Sequence, residues 1–251
     1  MHVEQGTLIP ATLSPVGQGL TGAHFSIVSV GGVSQRCVVK RAGLREIAAE
    51  VFCALLGFRL TLPVLIPIVV TDPRDQSLWF GARDVGYPSL SSRLSTTISP
   101  TTIQLAVLAS ILSTWAQASS VISFDELIAN GDRNLGNVLW NGSAFTIIDH
   151  ERALGIDLMQ MNKLALFAIQ YMSPQQISAI QGSITGSAMA QQAVLSTGSA
   201  VWDYIDTEFT NLPVQVAVHL PAMRQFVQAR AGSLVGASTN AVLPLLNQTT
   251  P

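Results

Sequence analysis

Between residues 124 and 151 the chain reads FDELIANGDRNLGNVLWNGSAFTIIDHE, and this stretch constrains the fold more than any other. Asp132 stands five residues before Asn137, and Asp149 follows a dozen residues later. Between them lies Asn141-Gly142, flanked by apolar runs, which is a strong local indication of a hairpin. We expect strands over residues 138–140 and 145–149. The hairpin then brings an acidic loop and a second carboxylate into one region of the molecule.

Two carboxylates and an amide in this order match what phosphoryl transfer from a nucleotide requires. One carboxylate orients a hydroxyl nucleophile, while an amide oxygen and a second carboxylate hold magnesium against the phosphates. We therefore interpret Asp132 as the catalytic aspartate, and Asn137 and Asp149 as metal ligands. Alone, Asp132 is typical of a turn and Asn137 of a chain bend. Asp149 is more informative, because a carboxylate that ends an apolar strand needs a cation or several hydrogen bonds.

Composition narrows the class of protein. Of 251 residues, 48% are apolar and only 11% are charged, which is below the usual quarter or so and argues against disorder. The formal net charge of −2 offers no basic face for nucleic acid. The N-terminal residues lack the pattern of a secretory signal, and the apolar runs are shorter than a bilayer span. We expect a soluble, cytoplasmic protein without nucleic-acid or membrane partners, in which Cys37 and Cys53 are buried free thiols.

The pattern of apolar residues divides the chain into two parts and a tail. We expect a small antiparallel sheet with one helix over residues 1–86, a mainly helical part over 87–240, and a loose tail over 241–251. The expected strands cover residues 7–13, 24–30, 36–40, 65–71 and 78–83. The expected helices cover residues 44–56 (ending at Gly57), 100–119, 124–129, 158–171, 174–180, 188–209 and 214–234. Residues Ile103, Val107, Ile111 and Trp115 form an apolar stripe on the helix over 100–119.

Glycines and a lysine extend the pattern into the N-terminal part. Gly17, Gly19 and Gly22 spell G-x-G-x-x-G between two predicted strands. This placement disfavours a Rossmann turn and favours a hairpin that covers phosphates, where backbone N–H groups approach the oxygens. Lys40 ends the strand sequence CVVK, where a charge needs a partner. We interpret it as a phosphate-binding lysine paired with a carboxylate of the next helix.

Two glutamates of that helix compete for the lysine. Glu46 and Glu50 are four residues apart and share one helix face. Glu50 is surrounded by apolar neighbours and would be costly to bury without a cation. Glu46 lies beside Arg45 and is more easily solvated. We therefore expect Glu50 to pair with Lys40, with Glu46 as the alternative.

Taken together, these motifs resemble those of the HipA-like kinases and, more distantly, the phosphatidylinositol-kinase branch of the protein-kinase-like superfamily. The resemblance rests on Lys40, the helix of Glu50, residues 80–83 (FGAR), the DRNLGN loop and residues 148–151 (IDHE). It implies a bilobal α+β kinase fold with ATP and Mg²⁺ in the cleft. Asp132 would be catalytic, Asn137 and Asp149 the metal ligands, and Lys40 the phosphate lysine.

Further roles follow from the same resemblance. The three glycines would cover the phosphates, and Asp84, Val85 and Gly86 would form the hinge against adenine. The family commonly has Asp-Arg-His where this chain has Asp132-Arg133-Asn134, and asparagine cannot titrate near neutrality. The family also contains toxin kinases that pair with antitoxins, which gives an antitoxin-like partner by analogy only.

Three functions remain open at this stage. The first is an ATP–Mg²⁺-dependent kinase that phosphorylates a Ser/Thr hydroxyl of a protein, or of itself. The second is a weak or inactive nucleotide-binding pseudokinase or interaction module, suggested by Asn134. The third is a kinase-fold transferase that moves another group.

Overall fold

The computed structural model describes residues 1–17, 22–94, 100–155 and 161–242. Strands dominate the part up to Arg83, and helices dominate the part from Leu90 onward. The chain therefore has a mixed α+β fold with a sheet at its N-terminal side and a helical C-terminal side.

Six strands build the N-terminal sheet. They are β1 (Glu4–Leu8), β2 (Ser14–Pro15), β3 (His24–Val30), β4 (Val33–Lys40), β5 (Pro67–Thr71) and β6 (Leu78–Arg83). Their order is β1-β5-β6-β4-β3-β2, and β1 also pairs with β3, so five strands close into a ring. The pair β1–β5 is parallel, whereas the other pairs are antiparallel. The expectation of a purely antiparallel sheet was wrong for that pair.

Apolar side chains from these strands fill the ring. The cluster contains Leu8, Val28, Cys37, Val39, Ile68, Val70 and Trp79. Successive strand residues point to opposite faces, so alternate residues of β4, such as Cys37 and Val39, enter this interior. Ring closure leaves few unpaired strand edges, which stabilises a small sheet.

The first strand differs from the expected one. It begins at Glu4 and ends at Leu8, and residues Pro10–Thr12 form a 3-10 turn instead of continuing the strand. Pro10 has no N–H to donate to a strand ladder, which explains the break. The Thr12 hydroxyl accepts a hydrogen bond of 2.8 Å from the Ile27 N–H, so a side chain replaces the lost strand partner.

Helix α1 (Leu44–Arg59) crosses from the sheet into the helical part. It continues through Gly57, where a stop was expected. A Cβ at Gly57 would lie 2.8 Å from Val64 Cγ1, so the glycine allows the returning chain to pack closely. The helix buries residues on all sides, and its apolar residues belong to the same core cluster as those of the C-terminal helices.

The C-terminal part contains a hairpin and nine further helices among the described residues. The hairpin consists of β7 (Val138–Trp140) and β8 (Phe145–Ile147). The helices are α2 (Leu90–Arg93), α3 (Thr102–Ser113), α4 (Ala118–Ile128), α5 (Lys163–Tyr171), α6 (Pro174–Thr197), α7 (Ser199–Thr210), α8 (Val214–Ala217), α9 (Leu220–Ala231) and α10 (Leu234–Val242). The expected boundary between 180 and 188 is absent, because α6 runs through it and ends before Gly198.

The helix expected over residues 100–119 is two helices, α3 and α4. Of the four residues of the apolar stripe, Ile103 is 77% exposed and Val107 is 42% exposed, whereas Trp115 is buried and Ile111 packs against the core. Leu108 and Leu112 face the core instead. Since α3 is apolar around most of its circumference, periodicity alone does not select its buried face. No single helix of the described ranges is long and apolar enough to cross a membrane; α3 and α4 meet that criterion only jointly, with a 93° bend between them.

The connection between the two parts runs from Arg83 to Ser89. At its start, Asp84 N donates to Arg36 O on β4 at 3.0 Å, and at its end Trp140 N on β7 donates to Pro88 O at 3.1 Å. The boundary expected after residue 86 falls in this segment. Of the expected tail, residues 241 and 242 end α10 and the rest lies outside the described residues.

Candidate active site

A buried ion pair fixes the loop that carries Asp132. Helix α4 ends at Ala129, which adopts a left-handed conformation. Arg133 is fully buried, and its Nη2 lies 3.0 Å from Asp125 Oδ1 on α4. The same guanidinium donates to the carbonyl of Ile148, next to Asp149. Arg133 therefore joins the Asp132 loop, helix α4 and the chain at Asp149.

The sequence interpretation assigned no role to this pair. Burial raises the pKa of Asp125, against the effect of the Arg133 charge and hydrogen bonds. An indication was present in the sequence: Asp125 follows Phe124 in an apolar helix and lies eight residues before an arginine in a glycine-containing loop. Only tertiary structure shows that these two charges meet.

Asp132 and Asn137 lie side by side. Asn137 Nδ2 donates to the Asp132 carbonyl at 3.0 Å, and the backbone N–H of Asn134 donates to the same oxygen at 2.7 Å. The Asp132 carboxylate forms an ion pair with Lys163, and Arg152 Nη1 lies 3.7 Å from its other oxygen. Lys163 was not among the residues expected at the site. The carboxylate of Asp132 therefore lies between two cations.

Asn134 stabilises the loop locally. Its Oδ1 accepts a hydrogen bond of 2.7 Å from Gly136 N, and its Nδ2 donates to the Asp132 carbonyl at 3.1 Å. Each of these hydrogen bonds joins residues that lie two positions apart in the sequence. The side chain thus shapes the turn between Asp132 and Asn137.

Asp149 and Glu151 share Lys40. Lys40 Nζ lies 3.2 Å from Asp149 Oδ1 and 2.5 Å from Glu151 Oε2. From the sequence, Asp149 was expected to be the last residue of the strand. It lies instead two residues beyond β8, and its φ is +68°. A left-handed aspartate is uncommon, and such conformations cluster at functional sites. The segment after α1 supports this arrangement, because Ile147 N donates to Pro63 O at 2.8 Å.

Glu50 does not pair with Lys40, and that expectation was wrong. Its Oε2 accepts a hydrogen bond of 2.8 Å from the His150 backbone N–H and lies 3.3 Å from His150 Nδ1. Glu46, the alternative, lies on the first turn of α1 beside Gly43. Lys40, the last residue of β4, pairs instead with Asp149 and Glu151, which lie two and four residues beyond β8. Helix α1 therefore contributes to the site by holding the backbone of residue 150.

Several carboxylates lie near Lys40. Burial raises the pKa of Glu50, Asp149 and Glu151, and the neighbouring carboxylates add to this effect at Asp149 and Glu151. Burial alone would lower the pKa of Lys40, but Asp149 and Glu151 outweigh it and the pKa is raised. Asp149 and Glu151 thus contact the lysine, and Glu50 adds a third negative charge nearby without contacting it.

His150 is neutral in this setting. Burial, with a contribution from the Arg133 charge, lowers its pKa to about 3. Its Nδ1 faces Glu50, while Nε2 is buried without a hydrogen-bond partner. His150 therefore orients Glu50 and is not available as a charged group.

Asn137 and Asp149 suit a magnesium ion by their chemistry. Ile148 N donates to Asn137 O at 3.1 Å, so the hairpin brings the chain at Asp149 beside Asn137. Amide and carboxylate oxygens are hard ligands, and Mg²⁺ commonly takes one or two of them together with substrate phosphates. Within the described part of the chain, no group of three or more His, Cys, Asp or Glu residues is arranged to hold a metal ion.

The glycine loop lies where the sequence indicated, between β2 and β3. Val16 N donates to Ala23 O at 3.0 Å and closes the loop. Gly17 and Gly22 have φ values of +76° and +65°, and a Cβ at either position would meet no atom within 4 Å. Glycine is required there by backbone conformation and not by space. Gly19 lies outside the described residues.

Asp84, Val85 and Gly86 lie in the connection between the two parts. The Asp84 carboxylate lies 2.9 Å from Arg36 Nε and accepts a hydrogen bond of 2.9 Å from Gly86 N. Gly86 has a φ of +71°, and Val85 between them is half-buried. Side-chain contacts of Asp84 thus shape the turn itself. Any adenine contact there would come from the backbone or from Val85.

A cavity of about 340 Å³ opens beside Lys40. Its lining consists of Lys40, Arg41, Ala42, Gly43, Glu46, Glu151 and Arg152. It lies at the first turn of α1, and neither Asp132, Asn137 nor residues 84–86 line it. The cavity therefore does not extend over the whole of the expected nucleotide site.

The N-terminal sheet and α1, together with the helical part and its β7–β8 hairpin, form a kinase-like fold. The crystal structure of a Helicobacter pylori proinflammatory kinase, CtkA, matches this fold. The match has a TM-score of 0.55 and 12% sequence identity, and it covers 96% of this chain and 97% of CtkA. At this identity the likeness supports the fold alone. No family model and no curated protein sequence matches the chain.

Proposed function

We propose that this protein is an ATP–Mg²⁺-dependent kinase that transfers the γ-phosphoryl group to a Ser/Thr hydroxyl of a protein, including itself. One observation carries the proposal: the ion pair between Lys40 Nζ and Asp149 Oδ1, at 3.2 Å, between residues 109 positions apart. A phosphate-binding lysine and a metal-binding aspartate act on the same phosphates and must lie close together. The kinase-like fold supports the same reading.

The remaining roles follow from the positions of the side chains. Asp132 accepts the proton of the attacking hydroxyl and orients its oxygen. Lys40 binds a phosphate oxygen, and Gly17 and Gly22 allow the hairpin backbone to approach the phosphates. Asn137 and Asp149 hold magnesium, which supplies neutralisation of the phosphate charge. Asp84, Val85 and Gly86 contact the adenine.

The proposal extends the resemblance to HipA-like kinases. A protein substrate, a cytoplasmic location and an antitoxin-like or regulatory partner belong to it by family analogy only. The charge of −2 supports the absence of a nucleic-acid substrate in this proposal.

A second candidate is a non-catalytic nucleotide-binding module. Asn134 favours it, because this side chain makes only local loop hydrogen bonds and cannot titrate. A kinase-fold transferase that moves another group, such as AMP, is the third candidate. Mass spectrometry of the product identifies the transferred group.

Incorporation of label from γ-³²P-ATP tests the proposal, with purified protein, Mg²⁺ and a generic protein acceptor. Asp132→Ala should abolish transfer and leave ATP binding nearly intact, whereas Asp149→Ala should weaken Mg²⁺-dependent ATP binding. Asp203→Ala, an exposed aspartate on α7, is the matched control and should retain transfer. Unchanged transfer in the Asp132 variant rules out its role. Binding of ATP–Mg²⁺ without any transfer by the wild-type protein supports the module instead.

A further inference from the structure

The chain contains two lysines, Lys40 and Lys163, against eleven arginines. Both lysines contact carboxylates of the candidate site. Lys40 pairs with Asp149 and Glu151, and Lys163 pairs with Asp132. Lysines that serve only solubility are usually numerous and scattered over the surface. Here arginine supplies nearly all of the positive charge elsewhere, so the position of Lys163 at Asp132 calls for a specific reason.

Backbone contacts hold Lys163 beside the Asp132 loop. It is the first residue of α5, and its N–H donates to the Gly131 carbonyl at 3.3 Å. The preceding Asn162 caps the helix by accepting from Ala165 N at 3.0 Å, and it also donates to Ile122 O on α4 at 3.3 Å. The start of α5 is therefore anchored to both the Asp132 loop and α4. The side chain of Lys163 reaches Asp132 from a fixed base.

The ion pair itself contributes little to folding. The Lys163 side chain is 44% exposed and that of Asp132 is 19% exposed. Partly exposed pairs of this kind typically contribute about 0 to 1 kcal/mol to stability. The contact is also unlike that of Arg133, which is fully buried and connects three segments. Stability therefore does not explain why a lysine is placed at this carboxylate.

We propose that Lys163 is a second phosphate-binding lysine, which contacts the transferred phosphoryl group next to Asp132. This inference rests on the proposed kinase function. During transfer, the acceptor oxygen forms a bond to the γ-phosphorus, the bond from that phosphorus to the β–γ bridging oxygen breaks, and ADP leaves with the electron pair. The hydroxyl proton goes to Asp132. The charge on the transferred oxygens is then met by the Lys163 ammonium, in addition to that of Lys40.

Lysine suits this position for a chemical reason. Its ammonium is a compact charge on a flexible stem, so it can leave the carboxylate and follow a moving phosphoryl group. Arginine tends to form rigid, bidentate pairs with carboxylates, which would keep Asp132 occupied. When the phosphoryl group arrives, Lys163 would leave the Asp132 carboxylate and bind the phosphoryl oxygens. The carboxylate would then be free to act as the base.

A nucleotide acyl phosphate tests this assignment directly. In this probe the γ-phosphate of ATP carries an acyl group, and a neighbouring lysine amine attacks the acyl carbon. An amide forms, the acyl carbon–oxygen bond breaks, ATP is released, and the amine proton passes to solvent. Peptide mass spectrometry then identifies the labelled lysine. With two lysines in the chain, the result is read without ambiguity.

The outcomes separate this inference from the proposed function. Labelling of Lys163 that excess ATP suppresses supports the inference. Labelling of Lys40 alone overturns it and leaves the kinase proposal standing. Labelling of Lys163 that ATP does not suppress also overturns it, because the lysine is then merely reactive. Absence of ATP-sensitive labelling at both lysines overturns the inference and the nucleotide site together.

Kinetics give a second readout. Lys163→Met should lower kcat by about 10²-fold and change KM for ATP by less than about threefold, as is typical for loss of one group that stabilises developing charge. Lys163→Arg should recover part of kcat because the charge is retained. Arg224→Met is the matched control, since Arg224 also pairs with an aspartate, Asp206, at 2.7 Å outside the site. Unchanged or increased kcat in Lys163→Met overturns the inference.

Discussion

Lys40 Nζ lies 2.5 Å from Glu151 Oε2, closer than the 3.2 Å that separates it from Asp149 Oδ1. The lysine at the end of β4 is therefore held by a residue that follows the β7–β8 hairpin, and not by the helix that follows it in sequence. Glu50 of α1 instead accepts a hydrogen bond from the backbone of His150. The role expected of Glu50 is divided between two glutamates, one that contacts the lysine and one that holds the intervening chain.

Glu151→Gln should reduce phosphoryl transfer. When Asp149 binds magnesium, Glu151 is left as the carboxylate that orients Lys40, and loss of its charge leaves the lysine poorly positioned. Misplacement of a group at a reacting centre lowers rates by about tenfold to a hundredfold. Steady-state kinetics at saturating ATP measures the change in kcat. Asp203→Asn, at an exposed aspartate of α7, is the control and should behave as wild type; equal loss in both variants would contradict the role of Glu151.

Glu50→Gln should keep or increase stability at pH 7. Burial raises the pKa of Glu50, so the folded state favours its protonated form. For a carboxyl group with a raised pKa, the contribution of the protonated form to stability is present below the pKa of the unfolded state. That contribution is lost as pH rises through the pKa of the folded state. The ionised form is therefore disfavoured in the folded state. Glutamine is neutral and still accepts the His150 N–H.

Thermal unfolding of two variants checks this prediction. Glu50→Ala removes the acceptor and leaves the buried His150 N–H unpaired, which costs about 1–3 kcal/mol. We expect the melting temperature of Glu50→Gln to equal or exceed that of the wild type. The melting temperature of Glu50→Ala should be lower than both. A glutamine variant that melts as low as the alanine variant would show that the charge itself is required.

Local patterns predicted much of the fold. The strand His24–Val30, the strand Leu78–Arg83 and the hairpin over Asn141-Gly142 follow from alternation and turn residues. The proximity of Asp132 and Asn137 was also accessible, since the two residues are close in sequence and their contact is local. Features determined within a few residues can be inferred without tertiary structure.

Features that depend on long-range packing were not predictable. Gly57 was read as a helix stop, whereas its lack of a side chain serves the contact with Val64. The buried face of α3 does not follow from its sequence, because exposed Ile103 and buried Leu108 are similarly apolar. The partner of Lys40 was misassigned because proximity in sequence favoured α1, whereas the β7–β8 hairpin brings Glu151 nearer.

Arg133→Met should strongly destabilise the protein. Arg133 and Asp125 are both buried, and removal of one partner leaves an uncompensated charge, which costs about 3–5 kcal/mol. The Asp125→Asn, Arg133→Met double variant should recover part of that loss, since both charges are then absent. Urea unfolding of the two single variants and the double variant measures the coupling. A loss in Arg133→Met below about 1 kcal/mol would contradict a structural role for the pair.

Both cysteine thiols should be unreactive in the folded protein. Burial raises the pKa of Cys37 to about 11, and burial also raises the pKa of Cys53. Only the thiolate reacts with iodoacetamide, so alkylation at pH 8 should be slow in the native state and add two labels in guanidinium. The raised pKa also links these thiols to stability. Their contribution is present below the pKa of the unfolded state, near 9, and is lost as pH rises through the pKa of the folded state. Intact-mass spectrometry over time measures the labelling, and rapid modification of either folded thiol would contradict its burial within the ring or within α1.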